Sequence, residues 1–136
     1  MDLESELLEK AEKTINEISK SLDGLNFAIT GSYVKSLFGG KSKSAFSSNS
    51  DIDVAVYPED MEESIERLRK IDKYQKDFPC FGYDGGPRPP PGRKFIFSEL
   101  LNVHLVKTLK PEQNRDYLER EGVNYLKPHY FWAESD

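Results

Sequence analysis

The hexapeptide Asp-Ile-Asp-Val-Ala-Val at positions 51–56 constrains the fold more than any other part of the chain. Its large apolar residues recur at every second position, as on a β-strand with one buried face, while Asp51 and Asp53 fall on the opposite face. The pattern predicts a sheet with one face on the core and two acids side by side on the other. Such like charges repel, and a bound cation is the simplest way to offset that repulsion.

The rest of the chain alternates between helical and strand patterns. Apolar spacing predicts an amphipathic helix over 2–22, ended by Asp23-Gly24. The further predicted elements are a strand at 25–30, a short helix at 33–38, a strand at 51–57, a helix at 58–71, strands at 78–83, 93–97 and 101–107 (the last two as a hairpin), and a helix at 111–120. We expect a mobile polar loop at 39–50, a Pro/Gly loop at 84–92 and an unpatterned tail from residue 121.

This order of elements favours an α/β (α+β) fold, in which helices pack on a mixed β-sheet. With 136 residues, the chain is expected to form a single domain over 1–136. Its net charge of −5 argues against broad nucleic-acid binding. No apolar run has the length of a membrane span, the N-terminus is too charged for a signal peptide, and a lone Cys80 gives neither a disulfide nor a cysteine metal site. We expect a cytoplasmic globular protein without a membrane partner.

A Gly-Ser pair, Gly31-Ser32, follows the first predicted strand and suits a phosphate group. Backbone N–H groups, the serine hydroxyl and a helix N-terminus all attract phosphate oxygens, although Ser32 is equally suited to be an ordinary helix cap. Lys35, Lys41 and Lys43 follow, and they either neutralise a triphosphate or are simply solvated. Divalent cations such as Mg²⁺ or Mn²⁺ are commonly held by a carboxylate pair together with substrate phosphates.

Gly-Ser followed by Asp-x-Asp resembles the nucleotidyltransferase superfamily, which has the fold of DNA polymerase β. The resemblance implies a metal-bound nucleoside triphosphate, transfer of its nucleoside monophosphate to an acceptor hydroxyl, and release of pyrophosphate. It also implies a third carboxylate from a later strand. The matching strand, 100–106, has no acid: Asn102 and His104 share the relevant face, and Glu99 lies just before it.

Three short segments give a narrower resemblance, to the GrpB-like branch of the same superfamily. They are Gly92-Arg93-Lys94-Phe95, Asn102-Val103-His104-Leu105-Val106 and Arg115-Asp116-Tyr117-Leu118. The resemblance implies that Asp53 is the branch's strand acid, that His104 is the second of its two strand histidines, and that Asn102 replaces the first. Arg93 and Lys94 are both candidates for phosphate contact, but they face opposite sides of a strand, and the resemblance selects Arg93.

Each of these residues also has a purely structural interpretation. A strand histidine such as His104 is often a hydrogen-bonded structural residue. Arg115 and Asp116 form either an exposed pair or a brace for the site. The aromatic residues at 130–132 either stack on a base or cover the core.

Two functional hypotheses follow from the motifs. The first is a metal-dependent nucleotidyltransferase that uses Asp51, Asp53 and His104 in catalysis, and Gly31, Ser32, Lys35 and Arg93 for the nucleotide phosphates, with an unknown small molecule or protein as acceptor. The second is a catalytically impaired module that binds a nucleotide or phosphometabolite and regulates a partner. A toxin–antitoxin component is a third possibility within the same superfamily.

Overall fold

The structure is a computed structural model that describes residues 3–34, 50–80, 92–107 and 117–126. Its helices are α1 (Leu3–Ser21) and α2 (Met61–Leu68), with a helical turn at 32–34 and a 3-10 turn at Pro58–Asp60. Its strands are β1 (Phe27–Thr30), β2 (Ile52–Val56), β3 (Tyr74–Cys80), β4 (Gly92–Phe97), β5 (Val103–Lys107), β6 (Tyr117–Arg120) and β7 (Val123–Leu126).

The strands form one seven-stranded sheet in the order β3-β4-β5-β2-β1-β7-β6. Two neighbouring pairs, β2 with β5 and β1 with β7, run parallel, and the other neighbours are antiparallel. The prediction of an α/β (α+β) fold, with helices packed on a mixed sheet, is therefore confirmed. The single domain over 1–136 stays a prediction.

Both helices pack on the same face of the sheet, which we call the core face. The apolar stripe of α1 meets the inward side chains of the central strands, and α2 adds Met61 and Leu68. The core residues contributed by α1, β1, β2 and β5 are Ala11, Ile15, Ile18, Leu22, Ile29, Ile52, Val54, Val56, Val103 and Leu105. The strict alternation in β2 explains this arrangement, because its even-numbered residues all enter the core. No helix in the described ranges has the length and apolar character needed to cross a membrane.

Two side chains fix α1 against the rest of the fold. Where α1 ends, Arg67 of α2 donates hydrogen bonds to the carbonyl oxygens of Ser21 (3.3 Å) and Asp23 (2.7 Å), as side chains commonly do at helix C-termini. In its middle, the buried Thr14 hydroxyl donates to the Lys10 carbonyl at 2.8 Å and accepts the Leu101 N–H at 2.9 Å. The helix is therefore tied both to α2 and to the segment before β5.

The C-terminal prediction was wrong. Residues 117–120 form β6 instead of the end of a helix, and β7 lies in the tail that we expected to be unpatterned. A two-residue turn joins the two strands, and both of its residues, Glu121 and Gly122, have positive φ, as hairpin turns of this length require. The hairpin gains a place in the sheet because β7 pairs with β1, and tertiary pairing of this kind overrides local helix propensity.

Other boundaries shift by a few residues. The predicted 58–71 helix is a 3-10 turn followed by α2, which ends at Leu68. The strand predicted at 78–83 begins earlier, at Tyr74, and β4 and β5 form the predicted hairpin. The predicted helix at 33–38 and the loops at 39–50 and 84–92 lie largely outside the described residues.

We expect Thr14→Val to lower the free energy of unfolding by about 1–3 kcal/mol, because it leaves the buried Leu101 N–H without an acceptor. Urea denaturation measures the loss. Thr14→Ser keeps the hydroxyl and serves as the control, expected to lose clearly less. Equal stability of the valine variant and the wild type would contradict the role given to this hydrogen bond.

Candidate functional site

A row of polar residues crosses the sheet on the face opposite the helices. Thr30 of β1, Asp53 of β2, His104 of β5 and Lys94 of β4 are direct register partners, one strand after the next. Residues opposite each other on paired strands project from the same face, so these four side chains lie side by side. We call them the polar row. It forms because each strand alternates between a core-facing apolar residue and one of these residues.

Asp53 is the buried centre of the polar row, with 8% of its surface exposed. Its Oδ1 lies 3.6 Å from Nδ1 of His104. Burial raises the pKa of Asp53, and neighbouring Asp51 raises it further, while His104 and Lys94 act in the opposite direction. The carboxylate is therefore costly to keep ionised, and additional positive charge at this point would stabilise it.

Gly31 brings the Gly-Ser turn directly against Asp53. Its φ is +85°, and a Cβ atom at this position would lie 2.0 Å from Oδ2 of Asp53. The backbone of the turn thus fits against the carboxylate only because the residue has no side chain. Ser32 begins the helical turn at 32–34, where the Val34 N–H donates to the Gly31 carbonyl at 3.1 Å. The two halves of the sequence motif therefore meet in space.

Asp51 precedes β2 and pairs with the polar row through Lys94. The distance from Lys94 Nζ to Asp51 Oδ2 is 3.3 Å, and both side chains are partly exposed. This contact places Asp51, Asp53 and His104 in one neighbourhood. Lys94 thus brings a positive charge to the site, whereas the sequence-based prediction had selected Arg93 for phosphate contact.

Arg93 is not brought together with the other predicted site residues. Its side chain lies on the core face, where its Nε donates to Asp77 Oδ1 at 2.5 Å. The alternation of β4 explains this placement, since Arg93 shares a face with the buried Phe95 and Phe97, whereas Lys94 takes the opposite face. The buried phenylalanines were the signal in the sequence that would have selected Lys94.

Asp77 is the centre of a second polar cluster, which sequence reasoning missed. It accepts two hydrogen bonds from Arg69, at 2.7 and 2.9 Å, one from Arg93, and one from the Tyr74 hydroxyl. Its side chain is only 2% exposed. The Arg69 guanidinium, followed by Tyr74 and Arg93, holds the pKa of this carboxyl well below its usual range. The cluster joins the end of α2 to strands β3 and β4.

His104 has one ring nitrogen toward Asp53 and the other toward Gly92. In the described part of the chain, its buried Nε2 has no hydrogen-bond partner. A Cβ at Gly92 would lie 3.0 Å from this nitrogen and 2.3 Å from the Leu105 carbonyl oxygen. The backbone of β4 can therefore lie this close to His104 because residue 92 is a glycine. A buried imidazole nitrogen without a partner is unfavourable, so the polar row is not fully satisfied at this point.

No third carboxylate joins the polar row in the described ranges. Glu99 instead forms an exposed ion pair with Lys73 at 3.0 Å, and Asn102 contributes its backbone carbonyl to the Ile52 N–H. Across these ranges, no three His, Cys, Asp or Glu side chains are arranged to hold a metal ion. Asp51 lies close enough to Asp53 to raise its pKa, and these two carboxylates are the residues here that would hold a divalent cation, with phosphate oxygens and water as the further ligands usual for Mg²⁺.

Several predicted site residues lie outside the described residues. They are Lys35, Lys41 and Lys43 of the phosphate hypothesis, Arg115 and Asp116, and the aromatic residues at 130–132.

A cavity of about 400 Å³ lies elsewhere, between α1 and the β6–β7 hairpin. Tyr33 and Tyr125 line its interior, with Glu12 and Arg120 among its polar residues. Burial, together with Tyr125 and Glu12, raises the pKa of Tyr33 to about 12, so its phenol stays protonated at neutral pH. Of the predicted site residues that the structure describes, none lines this cavity.

Gly31→Ala is expected to destabilise the protein more than Gly24→Ala. Both glycines have similar positive φ values, +85° and +88°, but an added Cβ meets Asp53 only at Gly31 and nothing within 4 Å at Gly24. The Gly24 variant should therefore lose about 1–2 kcal/mol from backbone strain alone, and the Gly31 variant more. Urea denaturation compares the two, and equal losses would show that the Gly31–Asp53 contact has no energetic consequence.

Asp77→Asn is expected to cost about 2 kcal/mol of unfolding free energy at pH 7, because hydrogen bonds from charged groups are lost. The folded-state pKa of Asp77 is depressed, so its contribution is fully present above the unfolded value, about 3.9. It is lost as the pH falls below that value toward the folded-state pKa. Urea denaturation at several pH values should show the difference between wild type and variant narrowing below about pH 4. Asp72→Asn, at an exposed site, should show no such narrowing.

No protein-family model matches the sequence, and no curated protein matches it. Among solved structures, the crystal structure of JHP933 from Helicobacter pylori is similar, with 15% sequence identity and a TM-score of 0.46. The match covers 93% of this chain and 54% of that chain, so this chain spans about half the length of JHP933.

Proposed function

We propose that the protein binds a nucleoside triphosphate with Mg²⁺ or Mn²⁺ at the polar row and transfers the nucleoside monophosphate to an acceptor hydroxyl. The acceptor is a small molecule or a protein, and the reaction takes place in the cytoplasm. One observation carries the proposal. The Gly31 backbone lies against the carboxylate of Asp53, which is the register partner of His104, and His104 is in turn the partner of Lys94.

The phosphates would lie where the Gly-Ser turn meets the polar row. The Ser32 hydroxyl and the N–H groups at the start of the 32–34 turn are donors for phosphate oxygens. Lys94, beside Asp51, provides positive charge at the same place and takes the role that the sequence resemblance gave to Arg93. Lys35, two positions after Tyr33 in the sequence, remains a candidate for the same role.

Asp51 and Asp53 would hold the cation. When bound, a divalent cation neutralises phosphate charge and favours ionisation of an acceptor hydroxyl. Two features of the site support a cation at this position: burial raises the pKa of Asp53, and Asp51 lies close enough to raise it further. His104 contacts Asp53 through Nδ1 and orients this carboxylate. Catalysis of this kind depends on positioning and charge neutralisation.

The alternative is a module that binds a nucleotide or phosphometabolite without turnover and regulates a partner. The observation that favours it is His104, which stands beside Asp53 where the superfamily resemblance implies a third acid. Nucleotidyl transfer usually uses two cations and three carboxylates, and the two acids here suit one cation.

Asp51→Asn and Asp53→Asn separate the two functions. We expect each to lower pyrophosphate release from a nucleoside triphosphate, in the presence of Mg²⁺ or Mn²⁺ and a cell extract as acceptor source, by about 100-fold or more. Asp72→Asn removes the same charge at an exposed site and should leave the rate unchanged.

Binding measurements complete the test. Metal-dependent nucleotide binding without pyrophosphate release in the wild type would favour the regulatory module. Absence of both metal and nucleotide binding would contradict both functions.

A further inference from the structure

Phe78 extends the polar row by one strand. It lies on β3, which is one of the two edge strands in the part of the chain that the structure describes, and its register partner on β4 is Lys94. The row therefore continues from Thr30 through Asp53, His104 and Lys94 to an aromatic ring. Phe78 is 39% exposed, and Leu8 on α1 is the other exposed large hydrophobic residue in the described ranges.

The core does not account for this ring. Tyr74, Phe95 and Phe97 contact one another on the core face, with centroid separations of 6.3–6.4 Å. Phe78 projects from the opposite face, because its register partner Lys94 does so. An exposed aromatic ring beside a row of charged residues has the apolar surface that a planar ligand can cover.

The separation along the row suits a nucleotide. Three strand spacings of about 4.8 Å each place Phe78 about 14 Å from Asp53. An extended nucleoside triphosphate spans a comparable distance between its terminal phosphate and its base. Lys94 lies between the two ends, one strand from Phe78 and two from Asp53, and its ammonium group reaches toward the phosphate end, where it pairs with Asp51.

We propose that Phe78 stacks on the base of the nucleotide whose phosphates occupy the Gly31–Asp53 end of the polar row. The inference rests on the proposed function, and it assigns the base to the β3 edge of the sheet. Every base has an aromatic face, so a stacking platform tolerates different bases. The site is therefore expected to accept several nucleoside triphosphates, with a modest preference for those that stack more strongly.

The experiment compares ATP with inorganic tripolyphosphate, both with Mg²⁺, by isothermal titration calorimetry. Tripolyphosphate has no base, so it reports only on the phosphate-and-metal end of the site. In the wild type we expect ATP to bind more tightly than tripolyphosphate. Phe78→Ala should weaken ATP binding by about 5- to 100-fold and leave tripolyphosphate binding unchanged.

Matched variants make the result specific. Leu8→Ala truncates the other exposed large hydrophobic residue, on α1, and should change neither affinity. Phe78→Trp keeps an aromatic face and should bind ATP about as tightly as the wild type does. Since Phe78 is partly exposed, urea denaturation should show that Phe78→Ala is folded. If Phe78→Ala is destabilised, the ATP affinity of Phe78→Trp is compared with that of the wild type instead.

The outcomes distinguish this inference from the proposed function. If neither ATP nor tripolyphosphate binds the wild type, the proposed function fails and the inference fails with it. If both bind, and ATP affinity is the same in the wild type and Phe78→Ala, the inference is overturned while the proposed function stands. Loss of ATP affinity in Trp132→Ala but not in Phe78→Ala would also overturn it and assign the base to the C-terminal aromatic residues.

Discussion

The pairing of β2 with both β1 and β5 is the constraint on which the rest of the structure depends. Because β2 is central, its alternating side chains divide the molecule into a core face and a site face. The same register that buries Val54 beside Leu105 sets Asp53 beside His104. A shift of one residue would exchange the two faces, so the apolar core fixes the positions of the polar side chains.

The sequence was most informative where periodicity was strong and local. The helical stripe of α1 and the alternation of β2 are long enough to identify both elements and their buried sides. The β4–β5 hairpin was predicted from two apolar runs in the same way. The proximity of Gly31 to Asp53 was also expected from the Gly-Ser and Asp-x-Asp motif, although the sequence does not show that a Cβ atom has no room there.

Prediction failed where a structure depends on distant pairing. The β6–β7 hairpin is stabilised by adding β7 to β1, and nothing in the local sequence reveals that partner. The Asp77 cluster likewise gathers residues from the end of α2 and from two strands. The prediction of Arg93 in place of Lys94 had a different cause, because it followed the family resemblance. The alternation of β4 points the other way: Phe95 and Phe97 are buried, so Lys94 takes the opposite face, where it pairs with Asp51.

The Thr14–Leu101 hydrogen bond has a consequence for the order of folding in the cell. It joins residues 87 positions apart, so the Thr14 hydroxyl lacks this partner until the segment before β5 has been synthesised. At roughly 5–20 residues per second, the ribosome needs several seconds to synthesise the chain between Thr14 and Leu101. During that interval α1 can already pack on β1, β2 and α2, which precede Leu101 in the chain, but the hydrogen bond that fixes the middle of the helix is still missing.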